Sequence, residues 1–206
     1  MADQAIRTAS QGRVIVLEPL TREAFADFGD VIDATGPVSF PTNGGTATRI
    51  HGLAVADCAA ERGKTLLSIF RTAAPTVPDT LVLMERHPIS SQAFMPLGGQ
   101  RLIAVVAAPG QSPRARDLRA FISDGRQGVN YRRGTWHYPL IAVDPGDFLV
   151  VDRAGPGRGF DQDYEEVALE AGTRLGLDGL ELQPASTSNR AHTSNRARTS
   201  NREGQS

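Results

Sequence analysis

Short runs in which apolar and polar residues alternate recur along the chain, separated by turn residues every eight to twelve positions. Such runs are predicted as strands at 13–18, 29–33, 46–53, 65–71, 81–87, 92–94, 118–123, 128–134, 140–143, 147–153 and 163–169. Residues 100–109 form the most apolar run and are expected at the centre of a sheet. One segment has helical spacing instead: over 21–28, Ala24, Phe25 and Phe28 make one stripe, with Thr21 as N-cap, Glu23 in the first turn and Gly29 just past the end. Residues 35–45 carry Gly36, Pro37, Pro41, Gly44 and Gly45 and are predicted as loop. About ten short strands with one helix predict an all-β fold, an antiparallel sandwich or barrel.

Within strand 81–87 the period of two places Leu83, Glu85 and His87 on one face, so a carboxylate and an imidazole point into the same space. Pro88 ends this strand, and Ser90 and Ser91 turn the chain so that Gln92 can return beside His87. Residues 134–139 repeat the combination of turn glycine, aromatic, histidine and terminating proline, and are expected to meet the first segment. Arg49 and His51 share a face of strand 46–53, either facing a site or on the solvent side of an edge strand. Asp152 and Arg153, at the end of a strand, are expected to form an ion pair that fastens the body, in preference to a role in binding substrate.

With 206 residues, 40% apolar content, 21 glycines and 13 prolines, the chain suits one sizeable β-rich domain. A formal charge of -1 gives no general case for nucleic acid. No apolar run approaches the ~18 residues needed to cross a bilayer, and residues 1–13 lack the apolar core of a secretory signal. The single Cys58 excludes an internal disulfide framework and reads as a small core residue. The expectation is therefore a soluble, cytoplasmic protein with no membrane partner and no organic cofactor.

The domains expected are a disordered N-terminus at 1–12, a folded body at 13–183 and a tail at 184–206. From Thr187 the tail repeats a polar hexapeptide beginning Thr-Ser-Asn-Arg three times, without a large apolar residue. It cannot bury a core and is expected to be disordered, so His192 within it is given no catalytic role. Four arginines against one glutamate make the tail basic, too sparsely for useful nucleic-acid affinity at physiological salt.

The remaining histidines, His51, His87 and His137, each lie in a polar cluster. Imidazoles with Glu85 and Gln92 form a plausible set for a borderline divalent metal, with His87, Gln92 and His137 as the ligands considered.

These residues resemble a known family. His87, Gln92 and the turn at 94–99 look like a degenerate first motif of the cupin barrel, and residues 134–137 look like its second. Glu85-Arg-His-Pro88, Gln92-Ala-Phe94, Gly128-Val-Asn-Tyr131, Trp136-His137 with Pro139, and Phe148 followed by Val151-Asp-Arg153 resemble the ureidoglycolate lyases of allantoin degradation. The likeness runs from about residue 17 to 166. Where the family commonly has a second histidine this chain has Tyr138, which can still donate or accept a hydrogen bond, and the tail is foreign to the family.

The resemblance implies a cupin-like, jelly-roll type antiparallel β-barrel that cleaves (S)-ureidoglycolate to glyoxylate and urea in purine catabolism, works as a homodimer and holds a divalent metal, nickel in some members. The substrate is an anionic carbinolamine. Breaking its C–N bond needs a base for the hydroxyl proton, an acid for the departing nitrogen and an anchor for the carboxylate. His137 or His87 is the expected base and Glu85 or a protonated histidine the acid. Arg49 is the expected carboxylate clamp with His51 beside it, Gln92 and Asn130 the ureido partners, Trp136 a wall of the pocket and Tyr138 a further binding residue. Two other readings compete: an amidohydrolase releasing ammonia and carbon dioxide from the same substrate, and a non-catalytic cupin that binds a small carboxylate. An apolar edge such as 102–106 would be an aggregation hazard if left open, which adds to the homodimer that the resemblance implies.

Overall fold

The computed structural model describes residues 12–156 and 163–182. The expectations for the N-terminus up to residue 11 and for the repeat tail with His192 lie outside the described residues. The first strands are β1 (Val14–Pro19), β2 (Gly29–Ile32), β3 (Ser39–Thr42), β4 (Ala47–Ile50) and β5 (Lys64–Thr72). Then follow β6 (Leu83–Arg86), β7 (Gln92–Pro96), β8 (Leu102–Ala107), β9 (Arg119–Ile122) and β10 (Gly128–Tyr131). The last are β11 (Trp136–His137), β12 (Ile141–Ala142), β13 (Gly146–Ala154), β14 (Glu165–Ala168) and β15 (Arg174–Gly176). One sheet runs β14-β6-β11-β8-β9-β1-β15 with β12 also against β8; the second runs β2-β10-β7-β13-β5; β3 and β4 form a separate hairpin. The fold is all-β, its sheets curled into a half-barrel.

Pairing is antiparallel except around β1, which runs parallel to β9 along residues 17–19 and parallel to β15 along residues 14–16. The only α-helix among the described residues is α1 (Arg22–Phe25), shorter than the stripe over 21–28 predicts. Thr21 caps it as expected, its hydroxyl accepting from the Ala24 N–H at 3.2 Å. Phe25 and Phe28 both enter the core, where each meets Phe121 at 5.4 and 5.9 Å between ring centres.

The segment predicted as loop at 35–45 contains β3. Pro41 is tolerated there because a two-stranded hairpin leaves one side of each strand unpaired, so its missing N–H breaks no ladder. Residues 174–176, unassigned from sequence, form β15.

β8 organises the core, for all six of its residues are buried. Its alternation sends Leu102, Ala104 and Val106 into a cluster between the two sheets, with Phe94, Val129, Phe148 and Val150. Ile103, Val105 and Ala107 go to a second cluster on the outer face of the larger sheet, with Ile15, Leu81, Met84 and Leu175. A strand covered on both faces must read as a continuous apolar run, which is why 100–109 stands out in the sequence. The consequence corrects the expected dimer edge: 102–106 lies mid-sheet. The exposed apolar edge is β5, paired along one side with β13 and carrying exposed Leu66, Leu67, Ile69 and Phe70.

Candidate active site

Register builds the site. On the smaller sheet Val129 of β10 stands opposite Phe94 of β7, which stands opposite Val150 of β13, a fully buried apolar layer. Two residues along, on the same face, Tyr131 stands opposite Gln92, and Asp152 continues the row on β13. On the larger sheet His137 of β11 stands directly opposite Glu85 of β6, and such antiparallel partners carry neighbouring side chains on one face. The chain beyond β6 is held to the second histidine motif by the Gly134 N–H, which donates to the His87 carbonyl at 2.8 Å. The two segments therefore meet, as the sequence predicts, with the His87 and His137 rings 5.5 Å apart between centres.

Both imidazoles are oriented from behind by backbone. His87 Nδ1 lies 2.6 Å from the Asp163 carbonyl and His137 Nδ1 lies 3.0 Å from the Thr135 carbonyl. A carbonyl only accepts, so each Nδ1 carries a hydrogen and each ring turns its Nε2 toward the interior. His137 Nε2 is 3.2 Å from Gln92 Oε1 and 3.5 Å from Glu85 Oε1; His87 Nε2 is buried without a partner among the described residues. His137 is almost fully buried, 1% exposed, and stacks on Tyr131 at 4.3 Å with 14° between planes. Burial first, and then the Glu85 charge, raise the Tyr131 hydroxyl far above its ordinary range, so it stays protonated.

One ligand atom each from Glu85, His87 and His137 falls within 4.8 Å of the others. Three acceptor atoms converging on one point, with both imidazole N–H groups turned back onto carbonyls, is an arrangement that fits a divalent cation. Gln92, the third ligand considered from sequence, brings its Oε1 within 3.2 Å of His137 Nε2, and Glu85 joins the two histidines in the set.

The other expected residues lie elsewhere. Trp136 and Tyr138 flank His137 and so point the opposite way, into the outer cluster. The Trp136 ring lies 4.4 Å beneath the Arg86 guanidinium, and burial raises the Tyr138 hydroxyl. Asn130, next to Tyr131, likewise faces outward, its amide donating to Asp30 and to the Val55 carbonyl at 3.0 and 3.2 Å. Arg49 and His51 sit exposed on and beside β4, where His51 meets Phe40. No hydrogen bond, ion pair or ring contact among the described residues joins either to the cluster. Asp152 and Arg153 do not pair: adjacent strand residues face opposite ways, and Arg153 donates to the Ala60 carbonyl.

Two residues matter that sequence did not single out, beside Tyr131, which the sequence offers as a candidate within the 128–131 motif. Tyr164, 6.3 Å from His87 between ring centres, donates to Glu166 at 2.6 Å, and burial raises its hydroxyl further. Asp163 accepts from the Ile89 N–H and the Ser90 hydroxyl, fixing the turn after Pro88 while its carbonyl fixes His87. A surface groove of about 590 Å³ lined by Leu17, Leu20, Ile122, Asp124 and Asp178 shares no residue with the cluster.

A curled pair of sheets that carries two tautomer-fixed imidazoles and two carboxylates in an interior layer belongs among the enzymes that act on small polar molecules. Residues 12–175 match the family model described as ureidoglycolate lyase. A ureidoglycolate lyase of Pseudomonas syringae pv. syringae is 48% identical over 153 residues, covering 74% of this chain and 90% of that protein. One from Pseudomonas syringae pv. tomato is 47% identical over 167 residues, covering 81% of this chain and 96% of the relative. The chain belongs to the ureidoglycolate lyase family, and it is a lyase. Among solved structures, RmlC from Streptococcus suis in complex with dTDP-D-xylose aligns at 12% identity and a TM-score of 0.32, covering 84% of this chain and 96% of that one; the fold description rests on the strand pairing alone.

Proposed function

We propose that this protein cleaves (S)-ureidoglycolate to glyoxylate and urea, with His87, His137 and Glu85 as the reacting groups and Gln92 beside them. The observation that carries the reading is the pair of imidazoles with hydrogen on Nδ1 and Nε2 turned toward Glu85 and the interior. An unprotonated imidazole nitrogen takes the hydroxyl proton, the O–H electron pair becomes the carbonyl of glyoxylate, and the C–N pair leaves on nitrogen, which takes a proton from the imidazolium so formed or from Glu85. His87 is the freer base, because its Nε2 has no competing partner among the described residues, whereas His137 Nε2 faces Gln92 and Glu85.

None of the converging side chains carries a fixed positive charge, yet the substrate is an anion. A divalent ion held by Glu85, His87 and His137, nickel by the family resemblance, would take up those Nε2 atoms as ligands in place of their role as base, supply that charge and polarise the hydroxyl. Arg49, His51, Asn130, Trp136 and Tyr138 stand outside this set. Tyr138 packs in the outer cluster, which supports retained activity despite the family's usual histidine at that position.

A homodimer formed through β5 and a cytoplasmic setting complete the reading; no helix among the described residues is long and apolar enough to cross a membrane. Incubation with ureidoglycolate should give glyoxylate and urea in equal amounts. Ammonia in place of urea would establish the amidohydrolase, and binding of glyoxylate without turnover would establish the sensor.

A further inference from the structure

Asp152 occupies an unusual position for a carboxylate. Phe148 and Val150 of β13 point into the core between the sheets, and Asp152 follows at the same spacing, so its side chain points into the same interior one layer above. The register that sets Val151 opposite Ala93 brings Asp152 level with Gln92, which stands opposite Tyr131. One oxygen of Asp152 is buried with no hydrogen-bond partner among the described residues. The buried His87 Nε2 is likewise unpartnered among the described residues, but it belongs to the cluster with Glu85 and His137. Buried polar atoms are nearly always satisfied, so an orphaned carboxyl oxygen in this interior layer marks a place where a polar ligand completes the bonding.

We propose that Asp152 is a binding residue for the ureido end of the substrate, its carboxyl oxygen accepting the ureido N–H groups beside the Gln92 amide. This deepens the lyase reading and rests on it. The chemistry matches the group recognised. A ureido unit offers N–H donors on both sides of a carbonyl, and a row of carboxyl and primary amide on adjacent strands offers acceptors and a donor at strand spacing.

The test separates the two halves of the substrate. Hydantoate keeps the ureido and carboxylate groups but lacks the hydroxyl and is not cleaved; glyoxylate keeps only the carboxylate end. Calorimetric binding of both should be measured on the wild type, D152N and D152A. The expected result is at least a tenfold loss of hydantoate affinity in D152A, with glyoxylate affinity within twofold of wild type, and a raised KM for ureidoglycolate. A structural role would lower Tm, whereas removing an unpartnered buried carboxyl should leave Tm unchanged or higher, and D152N supplies the variant nearest in shape. Equal losses for hydantoate and glyoxylate, an unchanged hydantoate affinity, or a Tm lowered in both variants would overturn the assignment alone. A wild-type protein that makes no urea from ureidoglycolate would overturn the lyase reading and this assignment together.

Discussion

Replacing each site histidine by alanine should reduce turnover alike yet cost very different amounts of stability. His137 is 1% exposed, stacked on Tyr131, and bonded to the Thr135 carbonyl with Gln92 and Glu85 at its other nitrogen. Its removal opens a cavity against a buried aromatic and leaves a buried carbonyl and amide without partners, about 2–4 kcal/mol together. His87 is only partly buried, and its one bond is to the Asp163 carbonyl, so its loss costs about 1 kcal/mol. For a body of this size 1 kcal/mol moves Tm by about 2–4 °C, so H137A should melt roughly 4–16 °C below wild type and H87A only about 2–4 °C below. Turnover of ureidoglycolate, followed by glyoxylate and urea release at a temperature where both variants are folded, should fall about 100-fold or more in each. Equal Tm losses would refute the burial argument. A loss of less than a few-fold in either variant would falsify its place in the chemistry.

Three further outcomes follow from the geometry. Chelation followed by removal of the chelator should abolish activity, and a divalent ion should restore it in the wild type but not in E85A; full activity of the metal-free protein would leave acid–base chemistry by imidazole alone. Asp144 accepts both arms of the Arg101 guanidinium at 2.8 Å and the Arg101 N–H at 3.0 Å, and the Arg101 bond holds its carboxyl below the ordinary range. A carboxylate whose folded value is lowered contributes above its unfolded value and loses that contribution as pH falls through the folded one. D144N should therefore cost about 1–2 kcal/mol at pH 7, with the Tm gap to wild type closing below about pH 4; a gap independent of pH would refute the ionic origin. Lysine at Leu67, 73% exposed on β5, should raise the monomer fraction in sedimentation velocity without changing Tm, and an unaltered dimer would remove β5 as its interface.

Much of the site was legible because β-structure writes its faces at period two. Glu85 and His87 share a face by that rule alone, and the rule also separates Asp152 from Arg153 and His137 from Trp136 and Tyr138. What it cannot say is which face is interior. For Asn130 and Tyr131 that depends on which sheet lies across from β10, a long-range fact. β3 was hidden because Pro41, Gly44 and Gly45 mark both loops and hairpins, and β15 because three residues of parallel pairing leave no pattern of their own. Asp163 was invisible as the His87 partner because that contact is made by its backbone carbonyl, which any residue carries.

That last contact has a wider bearing. Both imidazoles take their orientation from the path of the main chain at Thr135 and Asp163, not from a neighbouring acidic side chain. Point substitutions at residue 135 should thus leave the ring tautomers in place, whereas a one-residue insertion beside either carbonyl would turn a ring without altering any reacting group. Lengthening the loops, more than changing individual amino acids, is the route by which such a scaffold would acquire a different proton-transfer chemistry.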